Sequence, residues 1–532
     1  MHRSRKHKKA GNKKHRNRQH GEKVAGLGKR EDSADELEEE KENLPYSIEI
    51  SDVMGRYLVA AKNLRAGDVI VSEFPLVVGP AQGCQPLCLG CYKRLCEDGP
   101  HKYRCSGCGW PLCGPDCPGF HTEYGHSEAE CSLFAKKPQK FPDDLTECSI
   151  KSQYQAIVPL RCLLLKTVDP AKWRTLLTME SHNEVRRKIP VIWKTNQLLV
   201  VDRIRSDWGM DHFSEDEIHT ICGILEVNAF EIGQHGMRSL YPSAFLLAHD
   251  CVPNTSHCDD DEYRITIRAS RDINKGRPIT LSYAYTLQGT LKRREHLKES
   301  KFFDCCCRRC SDPTELGTYA GALKCPKCQP GYVLSTAPLD NSAVWRCENC
   351  DTYTITAEKV CLLMDRISKE VEAIDVNDVV AFEAFLKRYC NVLHENHYHM
   401  LSVKHSLSQL YGKIDGYTIN EMTDEQLKRK RDICQSILKV FDVLEPGYSR
   451  LRGITFYELH APIMVLATRG FESKTMSKKD LALQLKKVVH ALKEATAILV
   501  YEPENSSEGL MHGAAKDALV RMKDWQTILD KF

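Results

Sequence analysis

No run of roughly eighteen apolar residues occurs in the 532-residue sequence, so a membrane-spanning helix is not expected. Nothing apolar follows the opening Met-His-Arg-Ser-Arg-Lys, which argues against a secretory leader. An excess of charge of one sign is missing too. The net charge of +3 makes no case for or against a nucleic-acid partner. Without an export signal, disulfides are not expected, because glutathione keeps cytosolic and nuclear thiols reduced. The expected compartment is nucleus, cytoplasm or both.

What the chain does have is cysteine, 25 residues in all, many in Cys-x-x-Cys pairs that suit tetrahedral zinc. At this length several domains are expected, and 42% hydrophobic residues suffice for sizeable cores. Residues 1–45 read as a disordered tail. Up to Arg30 it carries twelve Lys or Arg against Glu22 alone, and from Glu31 to Glu42 eight acids against one lysine. Such a tail is either a solvated, self-compensating segment or an import or nucleic-acid patch at Arg5–Arg18.

Strand patterns begin at Tyr46-Ser-Ile-Glu-Ile-Ser and Tyr57-Leu-Val-Ala-Ala, joined through Met54-Gly55-Arg56, and resume over Val69–Val78. Metal chemistry then interrupts them. Cys88-x2-Cys91, Cys105-x2-Cys108, Cys113-x3-Cys117 and His126-x4-Cys131 put eight ligands within 44 residues, enough for two four-coordinate zinc sites. His121 competes with His126 for the last place, and Cys84 and Cys96 fall outside the spacing. A module this small folds on zinc, worth on the order of 10 kcal/mol per structural site.

Residues 150–225 read as mostly helical, with Ser214-Glu-Asp-Glu-Ile a good helix start. Asn228 lies in an apolar run and needs a polar partner. Tyr263–Ala269 alternates as a half-buried strand, and Pro278–Tyr285 reads as another. Pro253 holds Val252 extended, so Cys251–Asn254 reads as a turn. Cys305-x-Cys307-x2-Cys310 supplies three ligands wanting a fourth, with Cys306 and Cys258 as spares. Cys325-x2-Cys328 with Cys347-x2-Cys350 is a zinc ribbon by spacing. From about Ala357 to Phe532 amphipathic helical segments recur without a clean 34-residue repeat. Histidines 394, 397 and 399 fit helix surface or interhelix contact better than metal ligation.

The stretch Ala248-His249-Asp250-Cys251-Val252-Pro253-Asn254 resembles the Asn-His-Ser-Cys-x-Pro-Asn signature of SET lysine methyltransferases. The order of parts from residue 46 resembles the SET-and-MYND family, and the extra ribbon and altered signature resemble its arthropod-specific SmydA branch. The resemblance implies an α+β chain whose β-rich SET fold is split by a MYND zinc finger. The implied parts are SET N-terminal strands (46–87), MYND finger (88–131), helical insert (132–225), SET core (226–300), post-SET zinc site and ribbon (301–355), and a TPR-like helical domain (356–532). It pairs Cys88, Cys91, Cys113 and Cys117 on one zinc, and Cys105, Cys108, His126 and Cys131 on another. It adds Cys251 to Cys305, Cys307 and Cys310, making up to four structural zinc ions with the ribbon.

It further implies S-adenosylmethionine as cofactor, with Asn228, His249 and Phe303 at the cofactor and Tyr283 catalytic; Asn228 as a buried structural asparagine is the rival reading. Three positions depart from the family pattern. Tyr57 stands at the second glycine of Gly-x-Gly, Ala248 at the signature asparagine, and Lys301 at the second active-site tyrosine. A lysine cation facing a sulfonium at ~4 Å costs about 4 kcal/mol at moderate dielectric, so Lys301 must point away, lose its proton or preclude the reaction. Two functions follow. One is a protein-lysine methyltransferase acting on exposed lysines, with proline-rich peptides docking on the finger. The other is a non-catalytic adaptor in transcriptional regulation. A monomer is expected in either case.

Overall fold

Gly55 turns the first hairpin, its φ of +65° lying in the left-handed region that favours glycine. β1 (Tyr46–Ser51) and β2 (Gly55–Ala60) pair antiparallel across it, from Tyr46 opposite Ala60 to Ser51 opposite Gly55. The computed structural model describes residues 44–95, 101–145, 152–233, 236–328, 330–350 and 352–530, with side chains to 523. The readings for the N-terminal tail before residue 44 and for Cys96 lie outside these residues.

The strand expected over Val69–Val78 is two strands. Pro75 cannot donate to a ladder and breaks the run. β3 (Val69–Glu73) joins β9 (Ile265–Ala269) and β8 (Thr255–Asp259), whereas β4 (Val77–Pro80) joins β6 (Met237–Leu240) and β5 (Phe230–Ile232) in a second sheet. The helix Ile157–Val168 lies on β4 so closely that a Cβ on Gly79 would come within 2.6 Å of Val158 Cγ2. β9 (Ile265–Ala269) shows the predicted alternation, with Ile265, Ile267 and Ala269 buried and Thr266 and Arg268 half-buried. It starts two residues later than expected because Tyr263 occupies a turn at φ +65°, its ring packed edge-on against Tyr92. Burying each such isoleucine contributes roughly 1.5–3 kcal/mol.

The helical insert is a series of short helices ending in Glu215–Asn228. Ser214 and Glu217 form a reciprocal capping box at its start, as the sequence signalled. β5 (Phe230–Ile232), β6 (Met237–Leu240) and a short 3-10 turn lead into β7 (Ala248–His249). β7 pairs in parallel with β10 (Thr280–Leu281), Ala248 opposite Thr280 and His249 opposite Leu281. The strand expected over 278–285 is thus only two residues long. Asn254 does part of a strand's work: its amide donates to Pro278 O at 2.9 Å and accepts from Thr280 N at 2.8 Å. Residues 282–285 are thereby released toward the site.

Beyond residue 320 a four-stranded antiparallel sheet carries the last two cysteine pairs, and helices follow to Asp530. The helical region is fastened to the SET-like sheet. A Cβ on Gly447 would lie 1.9 Å from Ser270 O, Tyr448 N donates to that carbonyl at 2.7 Å, and the Arg268 guanidinium stacks 4.4 Å over the Tyr501 ring. His394, His397 and His399 are buried, not surface residues, and His394 packs on Tyr319 and Tyr332. Burial lowers His394, His399 and His405 to about 4 and holds His397 well below its ordinary value. Folded pKa values below the unfolded 6.5 mean that the unfolded chain binds more protons between those limits, so stability falls as pH drops from 6.5 toward 4. Each buried histidine is expected to lose on the order of 1–2 kcal/mol between pH 7 and 5. Urea unfolding of metal-loaded protein at the two pH values measures it, and His399→Leu should flatten the slope.

Candidate functional site

Four groups of ligand atoms converge, each with all its atoms within 4.8 Å of one another: Cys88, Cys91, Cys113 and Cys117; Cys105, Cys108, His126 and Cys131; Cys251, Cys305, Cys307 and Cys310; Cys325, Cys328, Cys347 and Cys350. His126 Nε2 lies 3.2 Å from Cys108 Sγ, whereas His121 stacks on Phe120 at φ +59°. The other nitrogen of His126 meets Glu130 Oε1 at 2.7 Å, and Arg161 Nε reaches Glu130 Oε2 at 2.5 Å. Burial would raise Glu130, but Arg161 and His126 hold its carboxylate down at about 2. This fully buried relay bolts the finger to the Ile157–Val168 helix. Glu130→Gln leaves Arg161 buried without its counter-charge, and is expected to cost about 3–5 kcal/mol of stability. Denaturant unfolding measures the loss, and adding Arg161→Met should recover part of it. Neither residue was foreseen, though Arg161 gave the signal used for Asn228, a polar residue in an apolar run.

Around Cys251 the electrostatics identify the occupant class. Arg293 donates to Cys251 Sγ at 3.4 Å and Cys310 Sγ at 3.5 Å, and its Nη1 meets Glu315 at 2.8 Å. Arg309 also meets Glu315, at 2.8 Å. Two buried guanidinium groups against one carboxylate leave positive charge facing the sulfurs. That suits four thiolates around a divalent ion, whose net charge is negative, and not four neutral thiols. The residues fit zinc. Cys306 is exposed and outside the cluster.

His249 joins this cluster to the cleft. Its Nδ1 accepts from Tyr283 N at 2.9 Å, so the proton sits on Nε2, 3.2 Å from Cys251 Sγ. Burial lowers the imidazole to about 4, keeping it neutral. The side chain therefore serves the cysteine turn, and only the backbone of His249 is left for a ligand. Tyr283 packs 5.2 Å from His249 and Phe303 5.7 Å from it, ring to ring. The Tyr283 hydroxyl donates to Leu247 O, and burial raises its pKa, so it is a neutral phenol.

Lys301 reaches the end of the Glu215–Asn228 helix. Its Nζ donates to Glu226 O at 2.9 Å and Val227 O at 2.8 Å, 5.9 Å above the Tyr283 ring, and burial lowers its pKa. Asn228, next along, donates its amide to Ile224 O at 2.8 Å and Glu180 O at 2.9 Å. These bonds close the helix end, with Asn228 half-buried. Tyr57 buries its ring against Val59 and Ala248 and reaches Glu49 with its hydroxyl at 3.3 Å. The two departures at 57 and 248 are thus one contact, the large side chain filling the space beside the small one.

Glu226–Asn228, Lys301, Tyr283, His249 and Phe303 form one continuous series.

A SET domain profile matches residues 55–284. Over 443 residues the chain is 26% identical to the SET domain-containing protein SmydA-8, isoform A, of Drosophila melanogaster, covering 80% of this chain and 89% of that one. It is 25% identical over 294 residues to the histone-lysine N-methyltransferase ASHR2 of Arabidopsis thaliana, 48% of this chain and 69% of the relative. With the histone-lysine N-methyltransferase Smyd1 of Mus musculus the identity is 29% over 305 residues, 52% and 58% of the two chains. With its split strands, cysteine clusters and altered signature, the chain carries a SET domain over residues 55–284 and is similar to SET and MYND proteins, SmydA-8 among them.

Proposed function

We propose that the protein transfers a methyl group from S-adenosylmethionine to lysine side chains of proteins. The observation that carries this is the unbroken contact series from the Glu226 and Val227 carbonyls through Lys301, Tyr283 and His249 to Phe303, anchored on the Cys251 cluster. When bound, the cofactor supplies an electrophilic methyl on a sulfonium. The chain's part is positional. Tyr283 holds a neutral hydroxyl at a fixed point, Phe303 offers an aromatic face, and the backbone carbonyls receive a cationic nitrogen.

Zinc in the four clusters serves structure, since four protein ligands leave no open coordination position. The finger is the place for proline-rich peptides, and the basic part of the tail for nucleic acid. Nucleus and cytoplasm are the compartments proposed, with a monomer as the working unit.

A second reading, a non-catalytic adaptor, is favoured by the Tyr57–Ala248 contact and by Lys301 on the carbonyls. Calorimetric titration with S-adenosylmethionine separates the two. Saturable heat at micromolar to millimolar cofactor supports the enzyme, and none at millimolar sinks it. Phe303→Ala should abolish any such binding; if it does not, Phe303 is not at the cofactor.

A further inference from the structure

The last four carbonyls of a helix lack intrahelical partners and carry partial negative charge, which makes a helix C-terminus a place for a cation. The Glu215–Asn228 helix ends this way beside Lys301, close to Tyr283. The cation present is Lys301, the final residue of the Thr290–Lys301 helix. Phe302 takes a left-handed conformation, φ +60°, and turns the chain away behind it. Lys301 Nζ donates to the carbonyls of Glu226 and Val227 and lies over the Tyr283 face. Among the described residues no carboxylate lies within ion-pair distance of it. The ammonium is half-buried and is compensated by carbonyl dipoles, an aromatic face and the longer-range pull of the Glu226 and Glu231 carboxylates, surroundings that suit an organic cation.

We infer that Glu226 O, Val227 O and the Tyr283 ring form a cation subsite whose resident occupant is Lys301, which the methyl donor must displace in order to load. The inference rests on the methyltransferase reading, because it assigns the displacing ligand to that class. It follows that Lys301 sets cofactor affinity without taking part in the chemistry. Two cations cannot share one pair of carbonyls without repulsion. Removing the resident charge strengthens binding, whereas replacing it with another permanent cation does not.

The test uses full-length, zinc-loaded protein. S-adenosylmethionine affinity is measured by calorimetry for the wild type, Lys301→Met and Lys301→Arg. Lys301→Met keeps the aliphatic stem and is expected to bind about ten-fold tighter or more, a change worth ~1.4 kcal/mol, and Lys301→Arg no tighter. In parallel, acetic anhydride labelling of Lys301 in the wild type is followed by peptide mass spectrometry. Labelling is expected to accelerate several-fold at saturating ligand, as the displaced amine reaches solvent. This arm needs no variant and stands if Lys301→Met fails to fold. Equal affinity of wild type and Lys301→Met, or labelling unchanged by bound ligand, overturns the inference and leaves the methyltransferase reading intact. Binding by neither protein overturns both.

Discussion

Cys251→Ser is expected to remove one zinc ion and the affinity for S-adenosylmethionine together. Its sulfur lies among Cys305, Cys307 and Cys310, and the same residue receives the His249 Nε2 proton and the Arg293 guanidinium. Losing it releases the signature turn from the segment that carries Phe303. It also leaves Arg293 and Arg309 buried over a site with less negative charge. The binding free energy of a structural zinc, of order 10 kcal/mol, sets the scale of what is lost, and a large fall in the unfolding midpoint should accompany the loss of metal. Metal content by elemental analysis and cofactor binding by calorimetry measure the two effects separately. Cys328→Ser in the ribbon should also lose an ion yet keep cofactor affinity. Cys306→Ser, at an exposed sulfur outside the clusters, should change neither. Full metal content in Cys251→Ser would remove the ligand assignment.

The metal clusters were legible in the sequence because a tetrahedral ion demands particular atoms at short spacings, and Cys-x-x-Cys writes that demand locally. His126 against His121 was not legible. The Phe120–His126 bridge, a contact in space, sets His126 beside Cys108, and the helix Glu128–Ala135 then carries Cys131 to the same cluster. Strand identity was readable from alternation at Ile265–Ala269, but strand length was not. Pro75 splits one run between two sheets, and Asn254 replaces strand pairing beside Pro278 and Thr280. His249 does pack against both Tyr283 and Phe303, whereas Asn228 bonds to Ile224 and Glu180. What each side chain does there depended on partners far away in the chain. Glu180 occupies the Asn228 amide, Cys251 the His249 proton, and Glu226 with Val227 the Lys301 ammonium. In this structure Lys301 rests on those two carbonyls and over the Tyr283 ring.

Tyr283→Phe is expected to lower the methyl-transfer rate by about 10²-fold or more while leaving cofactor affinity and fold largely in place. The phenol is buried and its pKa raised, so it remains protonated at neutral pH and works by orientation, not as a base. Its proton is already directed to Leu247 O, which leaves the oxygen's lone pairs as the groups able to meet an incoming amine. Phenylalanine keeps the ring against His249 and beneath Lys301. The carbonyl of Leu247 then loses a donor, a stability cost of about 1–3 kcal/mol. Single-turnover transfer of labelled methyl to histone and non-histone protein mixtures gives the rate, and calorimetry gives the affinity. A drop in rate at unchanged affinity assigns the hydroxyl to the transfer step. Equal loss of both would make Tyr283 a packing residue, and an unchanged rate would remove it from the chemistry. Lys301→Met provides the complementary background, since a cleft relieved of its resident cation should show the Tyr283→Phe effect on a larger signal.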